Sequence, residues 1–180
     1  MPRQHSDSQE FSRFVETDSV GTHRMERRIS ANPEERAALA KRFDLLGIDR
    51  LEAVFLLKRA GGGVIHVTGE LAAAVTQACV VTLAPVEARI AETFSADFVD
   101  ADRRRTDDLD LAYDEDDPPE PIRNGHIDLG ELAAEQLALA LNPYPRAPGA
   151  AIPAEFSPDA DAEEEPARPV NPFSILKKSN

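Results

Sequence analysis

Cysteine is almost absent from this sequence, since Cys79 is the single one among 180 residues. One thiol cannot form an internal disulfide or a multi-cysteine zinc site, which excludes the metal-ribbon and thioredoxin-like classes. The sequence also lacks any run of about 18 apolar residues, and its first residues contain no apolar signal-peptide core. These absences predict a cytoplasmic protein that has no membrane span and no metal or redox cofactor.

Positive charge is also scarce, because 20 Lys and Arg residues face 33 Asp and Glu residues and give a net charge of −13. The acidic excess is concentrated in residues 100–120 and 151–180, and the remaining chain is near neutral. A near-neutral domain with acidic appendages can attract a basic protein, and it can also contact RNA locally.

Composition indicates one folded domain with appendages, since apolar residues make up 42% of the chain. We expect residues 1–10 to form a flexible N-terminus and residues 11–150 to form a single domain. A mobile acidic loop is expected over residues 103–120, because dense acids and prolines cannot bury a core. Residues 151–180 are expected to form an acidic, proline-rich tail that ends in an apolar anchor, Asn171-Pro172-Phe173.

The clearest periodic pattern runs from Val86 to Phe98, where apolar and polar residues alternate. A period of two is typical of a half-buried strand. A second alternation runs from Leu71 to Leu83 and places Cys79 on the apolar face of that strand. Ala84-Pro85 separates the two runs, because proline cannot donate a hydrogen bond to the ladder.

Four further segments have strand character. Leu51–Lys58 and Gly63–Gly69 are rich in β-branched and apolar residues, and glycines 61–63 between them favour a hairpin turn. Phe11–Val15 and the basic segment Met25–Ile29 are expected at sheet edges.

Two helices are predicted from their capping residues. Asn32, followed by Pro33 and Glu35, forms a capping-box pattern, and the helix is expected to run to about Leu46 and stop at Gly47. Its apolar stripe contains Leu39, Phe43 and Leu46.

The second helix begins at Asp128, with Glu131 as its third residue, and ends before Asn142-Pro143. We therefore predict an α+β fold in which a curved antiparallel sheet, with curvature that allows closure toward a barrel, is covered by two main helices.

Three motifs and the chain terminus together resemble a known family. They are Gln77-Ala78-Cys79-Val80-Val81-Thr82, Ile127-Asp128-Leu129-Gly130-Glu131, Asn142-Pro143-Tyr144-Pro145-Arg146 and the terminal Asn171-Pro172-Phe173. In this combination the chain resembles the YceD family, the large ribosomal RNA subunit accumulation proteins, and in particular its alphaproteobacterial members.

The resemblance implies a noncatalytic role in accumulation of 23S ribosomal RNA and in biogenesis of the large ribosomal subunit. It implies a large-subunit ribosomal protein or a 23S rRNA precursor as the partner, and it implies no DNA partner. Many relatives carry a Cys-x-x-Cys pair where this chain has Cys79 and Thr82. Any metal or redox role of that pair is therefore not carried over.

Enzymatic alternatives are weaker. Cys79 could serve a cysteine-dependent hydrolase, but a lone cysteine in an apolar alternation is more often a small buried hydrophobe. Glycines 61–63 lack the lysine and helix start of a phosphate-binding loop.

Two binding mechanisms stay open. Either arginines contact ribosomal RNA, or the acidic segments attract a basic ribosomal protein. The candidate partner-binding residues are Arg24, Arg27, Arg28, Arg103, Arg104, Arg105, Tyr144, Arg146 and Phe173. The residues carried over from the family motifs are Cys79, Thr82, Asp128, Glu131, Asn142 and Pro143.

Overall fold

The computed structural model describes residues 10–100 and 119–151. These residues form seven strands, two α-helices and two short 3₁₀ helices, all of which lie in the first of two units, Met1–Ala147 and Pro148–Asn180. The strands are β1 (Phe14–Glu16), β2 (Met25–Ser30), β3 (Gly47–Arg59), β4 (Ile65–Ala78), β5 (Pro85–Asp100), β6 (Glu120–Ile122) and β7 (His126–Asp128), and the helices are α1 (Pro33–Arg42) and α2 (Leu129–Ala140).

The fold is α+β and consists of two sheets with two helices. The larger sheet has the order β2-β3-β4-β5-β6, and β1 and β7 pair separately as an antiparallel ribbon. All neighbours in the larger sheet are antiparallel except β5 and β6, which are parallel.

The prediction that the sheet could close toward a barrel is wrong. Within the described residues β2 and β6 are separate edges of an open sheet. The reason is the length of β6, which pairs with β5 through three residues, Phe98–Asp100. The remainder of β5 has β4 as its described neighbour, so its other edge does not meet a strand that could complete a barrel.

The predicted alternation of β5 is confirmed up to Ala96, because the even-numbered residues from Val86 to Ala96, apart from Glu92, are less exposed than their odd-numbered neighbours. Phe98 is buried as predicted, and Val99 after it is buried as well. In β4 the odd-numbered positions from Ile65 to Gln77 are all buried. The structure corrects the division of this region into two strands, because one continuous strand joins the predicted run Gly63–Gly69 to the part of the second run that ends at Ala78. Its burial pattern continues without a break through Gly69, which lies in the middle of the strand.

Gly69 provides space for an aromatic pair at the centre of the sheet. It is the cross-strand neighbour of Phe55 on β3 and of Phe94 on β5. The two rings meet edge to face at a centroid distance of 5.8 Å, and Phe94 lies directly over Gly69. A glycine is required here because an added Cβ would overlap the ring of Phe94.

Helix α1 begins as predicted but ends earlier. Asn32 accepts a hydrogen bond from Glu35 N, and the Glu35 side chain accepts one from Asn32 N, which confirms the capping box. The helix ends at Arg42, and Gly47 is the first residue of β3 rather than the helix cap. Leu46, which was predicted on the apolar stripe, is 58% exposed.

Asp44 replaces Gly47 as the left-handed residue that ends α1, with a φ of 54°. Leu45 N donates to Ala40 O at 2.8 Å and Asp44 N donates to Lys41 O at 3.5 Å, which is the Schellman pattern. Aspartate tolerates this conformation better than most side chains, and for this reason a glycine is not needed.

The helices cover the buried face of the sheet. Helix α1 packs on β3, and α2 contacts β4, β5 and β1. The side chains of Leu39 on α1 and Leu137 on α2 are fully buried in the same core as Phe55. No helix in the described ranges is long and apolar enough to span a membrane.

Candidate functional site

The first family motif with a clear structural role lies where α2 begins. Asp128 caps the helix, and its Oδ1 accepts hydrogen bonds from Gly130 N at 2.9 Å and Glu131 N at 3.3 Å. The same atom accepts a bond from Arg13 N at 2.7 Å. One carboxylate oxygen therefore fixes both the start of α2 and the chain that enters β1, which confirms Asp128 as the predicted N-cap.

Gly130 lets these two segments approach each other. A Cβ at this position would lie 2.8 Å from Phe11 C and 2.9 Å from Ser12 Cα, both of which are main-chain atoms. The first turn of α2 therefore packs directly on the backbone that precedes β1. Residues with a side chain do not fit at this contact.

Glu131 on α2 joins the two helices through a bidentate ion pair with Arg42 on α1. Its carboxylate accepts from Arg42 Nη2 at 2.6 Å and from Arg42 Nη1 at 2.9 Å. The pair raises the pKa of Arg42, with the Glu131 hydrogen bonds as the main cause. A second ion pair, between Arg13 and Glu35, joins the chain before β1 to the capping box of α1 and lowers the pKa of Glu35.

The second site is the connection between β4 and β5, against which the chain after α2 packs. Val80 N donates to Pro145 O at 2.9 Å, and Gln77 Nε2 donates to Asn142 O at 2.9 Å. The family-motif residues Cys79, Thr82, Asn142 and Pro143 thus belong to one corner of the fold, although the bonded residues Gln77 and Asn142 are 65 positions apart in the chain.

Cys79 lies in this turn, directly after β4, and not within the strand as its alternation predicted. Leu83, the last residue of that predicted run, is 76% exposed and has a φ of 60°. Pro85 was expected to separate the two strands, but it is the first residue of β5. The turn lies before it, at residues 79–84. The predicted burial of Cys79 is nevertheless confirmed, since its exposure is 0%.

The sulfur of Cys79 is a hydrogen-bond acceptor for the corner. Ala147 N donates to Sγ at 3.3 Å and Val81 N donates at 3.4 Å. The bond from Ala147, together with one from the Thr82 side chain, lowers the pKa of Cys79 to about 6, against the opposing effect of desolvation.

These contacts do not support the hydrolase alternative. The sulfur contacts main-chain amides and a threonine, none of which is a general base, and Cys79 is fully buried. Within residues 10–100 and 119–151, no group of three or more potential ligands forms a metal site.

We expect Cys79→Ala to retain the role in rRNA accumulation that the family resemblance implies, while lowering Tm by about 2–8 °C, the scale of truncating a small buried side chain. The sulfur packs and accepts hydrogen bonds, and alanine removes those contacts without removing a reactive group from the surface. Thermal unfolding, and rRNA levels in cells that rely on the variant, test this. Loss of rRNA accumulation at an unchanged Tm would contradict the packing role.

The chain after α2 presents the predicted aromatic residue and arginine to solvent. Tyr144 is 73% exposed and Arg146 is also exposed. Val80, from the facing turn, is 47% exposed. Their exposure agrees with a partner-binding role, which stays a prediction.

The arginines near β2 do not form one continuous basic patch. Arg24, Arg27 and Arg28 are all exposed, but Arg27 and Arg28 are consecutive in a strand and therefore point to opposite faces. Arg28 is also paired with Glu26 at 2.8 Å. The other predicted contact residues, Arg103, Arg104, Arg105 and Phe173, lie outside the described residues.

The sequence did not predict a groove beside the Asp128 cap. We define the acidic groove as the cleft of about 540 Å³ lined by Phe14, Glu120, Ile122, Asp128, Glu131 and Glu135, among others. Its walls come from β6, β7 and α2, with Phe14 of β1 at one side. The helical spacing of Glu131 and Glu135 indicated that these two carboxylates lie on the same face of α2. Their proximity to Glu120 depends on tertiary structure and could not be predicted.

Comparison with known proteins identifies a family. A family model described as large ribosomal RNA subunit accumulation protein YceD matches residues 67–178. No curated protein and no solved structure matches the chain. The family model covers more than half of the sequence and includes both the Cys79 corner and the Asp128 cap. The chain therefore belongs to the YceD family of large ribosomal RNA subunit accumulation proteins.

Proposed function

We propose that this protein is a noncatalytic factor of the cytoplasm that supports 23S rRNA accumulation by binding a basic protein of the large ribosomal subunit. Membership of the YceD family links the chain to accumulation of large-subunit rRNA. The protein partner is our proposal. In this mechanism the factor shields the positive charge of a ribosomal protein until that protein is placed on the RNA.

The observation that carries the proposal is the distribution of charge. Acidic residues outnumber basic residues by 33 to 20, so the chain as a whole repels a polyanion and attracts a polycation. The exposed arginines near β2 do not offset this locally, because Arg27 and Arg28 lie on opposite faces and Arg28 is paired with Glu26.

Direct binding of 23S rRNA is the second candidate function. The exposure of Arg24, Arg27 and Arg28 favours it, since arginines on an accessible edge can reach phosphates. A protein that depended on these contacts would lose affinity for RNA when they are removed, and its salt dependence would become less steep.

The two candidates are separated by titrating the full chain with individually purified large-subunit ribosomal proteins and with 23S rRNA fragments at physiological salt. We expect submicromolar binding to at least one ribosomal protein, which weakens as salt rises. Joint replacement of Arg24, Arg27 and Arg28 by alanine should leave this affinity unchanged or improve it.

A matched control variant replaces Lys41, Arg89 and Arg123, three exposed basic residues that lie away from β2, by alanine. The proposal is overturned by submicromolar binding to 23S rRNA that the Arg24, Arg27 and Arg28 variant loses and the control retains. In that case the salt slope should fall by roughly one unit per lost phosphate contact.

A further inference from the structure

The acidic groove combines an exposed aromatic ring with a buried apolar floor. Phe14 is 58% exposed, and its ring meets His126 edge to face at a centroid distance of 4.5 Å. Phe98 and Ile122, which also line the groove, are 7% and 9% exposed. The ring of Phe14 is therefore held in place by a neighbour while much of its surface stays open to a ligand.

The carboxylates of the groove are incompletely neutralised. Glu131 is paired with Arg42, but Glu120 and Glu135 have no ion pair within 4.0 Å among the described residues. Partial desolvation by the groove wall, followed by the charges of Glu120 and Glu131, raises the pKa of Glu135. Like charges thus face each other here, and a cation placed between them would relieve the repulsion.

Asp128 adds a further carboxylate to the groove wall. Its Oδ1 accepts three main-chain hydrogen bonds, whereas Oδ2 is buried and has no hydrogen-bond partner in the part of the chain that the structure describes. A buried carboxylate oxygen without a donor is uncommon, and it adds negative potential to the groove wall. Arg123 also lines the groove, but four carboxylates outnumber it.

We propose that the acidic groove binds a lysine or arginine side chain from an extended basic segment of a ribosomal protein. The alkyl stem would pack on the apolar floor, the charged head would lie between Glu120 and Glu135, and the ring of Phe14 would contribute a cation–π contact. This assignment rests on the proposed function, since it names the surface that the basic partner would contact.

The size and sign of the groove both fit this occupant. Its volume of about 540 Å³ lies within the range of about 300–1,000 Å³ that is usual for ligand clefts. A phosphate would be repelled by the same carboxylates, so an RNA backbone is a poor occupant.

The test uses the full chain and a fluorescein-labelled eight-residue peptide of alternating arginine and glycine, titrated by fluorescence anisotropy at physiological salt. Joint replacement Glu120→Gln and Glu135→Gln should raise Kd about ten-fold, because it removes both charges that face the cation. The matched control, Glu70→Gln with Glu87→Gln, removes the same charge from two exposed positions on the other face of the sheet.

A separate variant tests the aromatic contribution. Phe14→Ala should raise Kd by about three-fold or more, and Phe14→Tyr should restore affinity because tyrosine keeps the ring. Leu139→Ala, at a residue that is 79% exposed on α2, is the control for loss of exposed apolar surface. Circular dichroism and Tm confirm that each variant is folded before its affinity is compared.

If the groove variants and the control variants weaken peptide binding equally, the groove assignment is overturned, because affinity would then follow net charge alone. Loss of 23S rRNA fragment binding in the Glu120 and Glu135 variant would also overturn it and assign the groove to RNA. Binding of purified ribosomal proteins that the groove variants leave intact would refute the groove but not the proposed function. Absence of ribosomal-protein binding in the unmodified chain would refute the proposed function itself.

Discussion

Phe55→Ala is expected to lower the free energy of unfolding by about 3–5 kcal/mol, the usual cost of removing a buried phenylalanine. Phe55 is completely buried on β3, and its ring meets Phe94 of β5 across Gly69. Alanine leaves a cavity that Gly69 cannot fill, and it also removes the edge-to-face contact with Phe94. Urea denaturation at equilibrium measures the change.

The control for this substitution is Leu139→Ala, because Leu139 is 79% exposed. Its effect should stay within about 0.5 kcal/mol. The midpoint of the Phe55 variant should move while the m-value stays unchanged, since the surface exposed on unfolding is nearly the same. A loss below 1 kcal/mol at Phe55 would show that the sheet centre can repack around the gap.

Gly130→Ala is expected to destabilise the protein by about 1–3 kcal/mol, as overpacking of a close contact does. Helix propensity alone predicts the opposite sign, because alanine is favoured over glycine in a helix by about 0.5–1 kcal/mol. The structure decides between them, since the new methyl group would meet the main chain of Phe11 and Ser12. Main-chain atoms cannot rotate away as a side chain can.

Gly47→Ala is the matched control, because an added Cβ at Gly47 has no atom within 4 Å and its φ is not left-handed. It should be neutral or slightly stabilising. Amide exchange adds a local readout, since Gly130→Ala should expose the Arg13 N–H that Asp128 now binds. A more stable Gly130 variant would show that propensity dominates and that the chain before β1 moves freely.

Local chemistry predicted the elements whose signals are complete within a few residues. The alternation that ends at Phe98 specifies which face of β5 is buried, and the side chains of Asn32 and Asp128 specify where each helix begins. Even the error at the end of α1 is local, because both Asp44 and Gly47 were available to adopt the left-handed conformation and the nearer residue did so.

The partners of these elements were not predictable in the same way. A periodic pattern reports which face of a strand is buried but not which segment covers it. The Cys79 corner depends on Ala147, and the acidic groove depends on Glu120 being brought to Glu135. The family motifs include Cys79 but not Ala147, Glu120 or Glu135, so these contacts could be identified only from the tertiary structure.

The ribbon of β1 and β7 has a consequence for how the native protein opens. Strands β2 to β5 follow one another along the chain as antiparallel neighbours, whereas the bond between Arg13 and Asp128 joins residues 115 positions apart. Each strand of the ribbon has three residues, so its ladder is short. Separation of the ribbon therefore frees a long loop of chain at the cost of few hydrogen bonds, and sub-global unfolding should begin there. The N-terminal segment and the start of α2 would be released together, while the meander from β2 to β5 stays paired.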